Sequence, residues 1–114
     1  MNSKELLDLL VKTLSSRKAQ DIVKIDVQEK TSIADYFLIA SARSSTQVKA
    51  LCEHCEEVAE KNGATIVRRE GLSDARWAIV DFGDVILHIF NDETRLFYHL
   101  EKLWGEGEKV ITED

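Results

Sequence analysis

The chain has 114 residues, enough for one ordinary domain, with a net charge of −6 and a pI of about 5.1. Phosphates are neutralised by clustered Lys and Arg, so an acidic chain argues against direct DNA binding and suits a basic protein partner instead. No run of about 18 apolar residues offers a membrane span. Met1-Asn2-Ser3-Lys4-Glu5 carries no secretory signal, and two cysteines are too few for a disulfide scaffold, so the expected compartment is the cytoplasm.

In chain order, Leu6, Leu7, Leu10, Val11 and Leu14 recur at helical spacing and predict a helix over 4–16, with Ser3 as its cap. Residues 21–27 read as a strand, with Val23, Ile25 and Val27 on one side and Lys24 and Asp26 on the other. A polar loop precedes a second strand, Tyr36 to Ser41. Ser44 and Gln47 offer a capping box for a helix that runs to about Asn62 and stops at Gly63. Its apolar stripe is Val48, Leu51, Cys52, Cys55, Val58 and Ala59.

Residues 64–69 read as a third strand, and 76–81 and 84–90 as a hairpin around Phe82-Gly83. Asn91 or Asp92 caps a last helix containing Leu96, Phe97, Leu100, Leu103 and Trp104, which stops at Gly105. The order α-β-β-α-β-β-β-α predicts an α/β single domain over 1–105, a mixed sheet with helices packed on it, followed by a mobile acidic tail over 106–114.

The hairpin is the most informative segment. A turn at Phe82-Gly83 pairs Asp81 with Asp84, Ile79 with Ile86 and Trp77 with His88, and directly paired residues share a face. Ala78, Val80, Val85, Leu87 and Ile89 then form a uniformly aliphatic core face. The opposite face carries Trp77, Ile79, Asp81, Asp84, Ile86, His88 and Phe90. It reads either as a second core layer or as a partly open docking patch, an indole rimmed by charge in the manner of an interface hot spot. Facing Asp81 and Asp84 repel unless a partner's cation lies between them.

Other chemistry is poorly supported. Cys52 and Cys55 fall mid-helix, where the dipole does not activate a thiol, and zinc would need two further ligands. Asp81-Phe82-Gly83 lacks the phosphate loop of a kinase, and Ser41 and Ser44 lack a nucleophile elbow. His88 could act as a base oriented by Asp84, but no nucleophile accompanies it. His99 reads as a surface residue and Arg68-Arg69 as an edge-strand charge.

The chain resembles the ribosomal silencing factor, or Iojap-like, family. The matching residues begin with Thr31-Ser32, Ala34-Asp35-Tyr36-Phe37, Ala40-Ser41, Gln47-Val48 and Glu70-Gly71. They continue with Trp77, Asp81-x-Gly83-Asp84-Val85, His88-x-Phe90, Arg95, Tyr98, Leu100-Glu101 and Leu103-Trp104, so the likeness spans about residues 5–104. Ala42 stands where that family usually has Gly.

The resemblance implies a nucleotidyltransferase-like fold without its chemistry. Ala40-Ser41 leads into a helix, but residues 64–69 hold no metal-binding carboxylate pair, so no cofactor is expected. It further implies a translational repressor that binds the large ribosomal subunit through a small basic ribosomal protein, the fourteenth of that subunit. Occupying that spot blocks joining with the small subunit and lowers translation in starvation or stationary phase; the free form is implied to be a homodimer. The partner-binding residues expected on this reading are Glu70, Trp77, Asp81, Asp84, His88 and Tyr98. The alternative is a residual metal-dependent nucleotidyltransferase using Asp81, Asp84 and His88.

Overall fold

Asn2 starts the first helix. Its Oδ1 accepts from Glu5 N at 2.8 Å and its own N–H donates to Glu5 Oε1 at 3.2 Å, a reciprocal box that begins helix α1, Ser3–Ser16. The cap is therefore one residue earlier than the Ser3 read from the sequence. The computed structural model describes residues 1–91 and 108–109, the last two by their backbone alone; the predicted final helix over 92–104, with Tyr98 and His99, lies outside the described residues.

After α1 come strands β1 (Gln20–Asp26) and β2 (Tyr36–Ala42), helix α2 (Ser45–Lys61), and strands β3 (Arg68–Glu70), β4 (Trp77–Asp81), β5 (Val85–Asn91) and β6 (Glu108–Lys109). The strands form one mixed sheet in the order β3-β4-β5-β2-β1-β6. Among the described strands only β2 and β5 pair in parallel. These two central strands are buried almost throughout, as a parallel pair covered on both faces requires. Glu108 and Lys109, which the sequence reading places in a mobile tail, pair with Lys24 and Val23.

Ser44 caps α2 as predicted, accepting from Gln47 N at 3.1 Å, while Gln47 Oε1 reaches past it to Arg43 N at 2.7 Å. Both helices end in the same backbone motif. Ala19 N bonds Leu14 O and Lys18 N bonds Ser15 O; in parallel, Ala64 N bonds Ala59 O and Gly63 N bonds Glu60 O. The left-handed position is Gly63 in one case (φ +89°) and Lys18 in the other (φ +64°).

The two helices lie on one sheet face. There Leu7, Leu10 and Leu14 of α1 and Val48, Leu51, Cys52, Cys55 and Ala59 of α2 meet Leu38, Ala78, Val80, Val85, Leu87 and Ile89. The aliphatic hairpin face is thus core, as its period-two pattern predicts; Val58 is only half-buried. The other sheet face has its own buried cluster of Val23, Ile25, Val27, Phe37, Ile39, Ile86 and Phe90. Val23, Ile25 and Val27 share that face as predicted. Ile22 joins the helical side, and β1 reaches this arrangement through an irregularity between Gln20 and Val23, with Asp21 at φ +48°. Ala42 closes β2 fully buried and is not among the residues with positive φ.

Candidate functional site

The site is built on the hairpin, and its register differs from the sequence expectation. Trp77 pairs with Phe90, Ile79 with His88 and Asp81 with Ile86. The turn is centred on Gly83-Asp84, and Phe82 N donates across it to Val85 O at 3.0 Å. The cause is Phe82. It is buried in the cluster beneath the helices, so hydrophobic burial holds it inward at the end of β4 and moves the turn along by one residue. Partners then shift by two, which leaves the strand side chains from Trp77 to Asp81 and from Ile86 to Phe90 on their predicted faces.

The predicted Asp81–Asp84 pairing is therefore overturned. Asp81 Oδ1 accepts from Gly83 N at 2.7 Å, so its charge serves the turn, and Asp84 stands exposed at the tip. Asp84 also lines a shallow concavity with Met1, Leu6, Val67 and Phe82, away from Trp77. From Asp81 back to Trp77 the strand spans about 13 Å.

The Trp77 end is where side chains converge. Trp77 Nε1–H donates to His88 Nδ1 at 3.1 Å, a diagonal contact across β4 and β5. The indole stacks on Phe90 with centroids 5.2 Å apart and planes at 20°, and Phe37 meets the His88 ring edge-on at 5.4 Å. His88 is buried, and burial lowers its pKa to about 4, so the imidazole is neutral at physiological pH. Among the described residues His88 Nε2 has no hydrogen-bond partner.

Burial on this face differs between the two strands. Phe90, Ile86 and His88 are buried as a second core layer, whereas Trp77 and Ile79 towards the edge are half-buried. His88 is accordingly not a surface contact, which corrects its predicted role.

Glu70 pairs with Ile79, and Arg68 pairs with Asp81, so both stand on the Trp77 face at the sheet edge. Arg68 Nη1 donates to Glu70 Oε1 at 3.1 Å, while Arg69, on the opposite face, bonds Glu56 of α2. Two contributors escaped the sequence reading. Arg68 joins the site through its register. Gly71 (φ +76°) is packed so tightly that a Cβ there would sit 2.0 Å from the Trp77 carbonyl oxygen. Its signal was available in the Glu70-Gly71 match, but the contact it serves is tertiary.

Asp81 is engaged by the turn, Asp84 stands at the tip and His88 is buried beside Trp77, and no group of three His, Cys, Asp or Glu among the described residues is placed to hold a metal ion. Cys52 and Cys55 are buried free thiols; burial pushes Cys52 up to about 12 and Cys55 higher still, which keeps both protonated.

The family model described as "Ribosomal silencing factor during starvation" matches residues 1–114. The chain belongs to the ribosomal silencing factor family. A ribosomal silencing factor from Halalkalibacterium halodurans is 40% identical over 113 residues, covering 99% of this chain and 97% of that one. A crystal structure of a Chromobacterium violaceum protein superposes with a TM-score of 0.91 at 31% identity, covering 100% of this chain and 95% of that one. A mouse relative, named mitochondrial assembly of ribosomal large subunit protein 1, is 34% identical over 101 residues, 86% of this chain and 44% of its own length. Ribosomal silencing is a regulatory role in translation, and the mixed α/β sheet is the architecture shared with the Chromobacterium violaceum structure. No helix among the described residues is long and apolar enough to cross a membrane.

Proposed function

We propose that this protein represses translation in the cytoplasm by binding the large ribosomal subunit through a small basic ribosomal protein, the fourteenth of that subunit, and blocking small-subunit joining by excluded volume. The observation that carries the reading is the half-buried Trp77, held by His88 and Phe90 beside the exposed Glu70. A rigid aromatic anchor with an acidic rim is the composition of a hot spot for a basic protein. Membership of the silencing family and the large-subunit name of the mouse relative point the same way. The free form is a homodimer on this reading, and no turnover, nucleotide or metal is involved. Glu70, Trp77 and Asp81 make the contact, Asp84 steers the basic partner from the turn tip, and Tyr98 is among the partner-binding residues.

The test is sedimentation. Purified protein should travel with large subunits on a sucrose gradient and reduce their joining with small subunits. Trp77→Ala should weaken binding by about 2 kcal/mol, roughly thirtyfold in Kd. A protein that binds large subunits without impeding joining would sink the steric account, and unchanged binding by Trp77→Ala would remove Trp77 from the interface.

A further inference from the structure

We propose that His88 is the positioning residue of this site: its Nδ1 holds the Trp77 indole in one orientation, so that the partner meets a preformed anchor whose only polar atom is already satisfied. The proposal rests on Trp77 being the docking residue.

The argument begins with the donor inventory. An indole N–H can only donate, so His88 Nδ1 must be the accepting, unprotonated nitrogen and the proton lies on Nε2. That Nε2–H is buried and has no acceptor among the described residues. A phenyl ring of similar size would fill the same space without a donor to satisfy. Among the described contacts, what histidine adds and phenylalanine does not is the acceptor for Trp77.

The surroundings fix the rest. Phe37 braces the imidazole from its edge, Phe90 stacks under the indole, and Gly71 admits the Trp77 backbone where any Cβ would collide. Trp77 is thus held at its main chain, its ring face and its N–H. Holding a side chain in its bound orientation removes an ordering cost from association. With the N–H engaged internally, the partner contacts ring carbon, which suits the aliphatic stem or cationic head of a Lys or Arg on a basic protein.

The experiment uses the full chain. His88→Phe removes the acceptor and keeps the volume; His88→Asn restores an acceptor near the Nδ1 position. Affinity for purified large subunits is measured beside hydrogen exchange of the Trp77 indole N–H, its NMR signal assigned by its loss in Trp77→Phe. His88→Phe should speed indole exchange and weaken binding about tenfold, the scale of one lost hydrogen bond. His88→Asn should recover most of both. In the Trp77→Phe background His88→Phe should cost nothing further, because the bond is already absent.

Unchanged indole exchange in a folded His88→Phe protein would overturn the hold on Trp77. Wild-type affinity in His88→Phe, with Trp77→Ala impaired, would overturn the positioning role while leaving the interface intact. Wild-type affinity in Trp77→Ala would instead overturn the interface reading, and the exchange measurement would still report on the hold.

Discussion

His88 couples the site to pH, because burial disfavours its charged form. Its pKa falls from 6.5 to about 4 on folding, so between those values the unfolded chain binds the proton and the folded chain does not. The stability associated with the neutral ring is fully present above pH 6.5 and is lost as pH falls towards 4. Over that window the loss amounts to about 3 kcal/mol. Urea unfolding of wild type and His88→Phe, compared between pH 7.5 and 4.5, should show the wild type losing stability more steeply on acidification. Carboxylates titrate in both proteins and cancel in the difference. Parallel pH profiles would mean that the imidazole is solvated or paired in the folded state. The same burial explains why the sequence misassigned this residue: period-two alternation places His88 on the Trp77 face, but only the packing of Phe37 and Phe90 shows that it lies beneath the indole.

At the scale of elements, the matching helix ends make a paired prediction. Gly63 and Lys18 occupy the same left-handed position of the same motif, one with the residue type it favours and one without. Lys18 is exposed, and nothing lies within 4 Å of a Cβ added at Gly63, so conformational cost dominates at both. Lys18→Gly should stabilise the protein by about 1 kcal/mol, and Gly63→Ala should destabilise it by a similar amount. Urea midpoints at unchanged m-value would check both; a loss of stability in Lys18→Gly would mean that the lysine stem contributes more than the strain it bears. Such local features were largely legible. Helical spacing, the Ser44 cap and the Gly63 stop follow from residues a few positions apart. Pairing was legible only in part. The aliphatic hairpin face survived because alternation is local, whereas the register moved because Phe82 is drawn into a core built by distant helices. The parallel β2–β5 pair joins residues separated by α2, β3 and β4, a contact that no local pattern announces.

For the whole molecule, the net charge of −6 governs how a ribosome would be approached. Ribosomal RNA repels an acidic protein, so on the proposed reading a basic protein patch is the favoured landing place, and carboxylates around the docking edge would steer towards it. The geometry ranks those carboxylates. Glu70 is diagonal to Trp77 across β3 and β4, within about 8 Å along the sheet. Asp84 stands at the turn tip, about 13 Å or more along the strand from Trp77. The screening length is about 30 Å at 0.01 M salt and about 8 Å at 0.15 M. Asp84→Lys should therefore slow association with large subunits at 0.01 M and have little effect at 0.15 M. Glu70→Lys, which also leaves Arg68 without its carboxylate, should weaken binding at both. Association rates at the two salt concentrations, with circular dichroism to confirm folding, separate the cases. An Asp84→Lys effect that persists undiminished at 0.15 M would place the partner directly on the turn, and the docking edge would then have to extend from Trp77 along the length of β4.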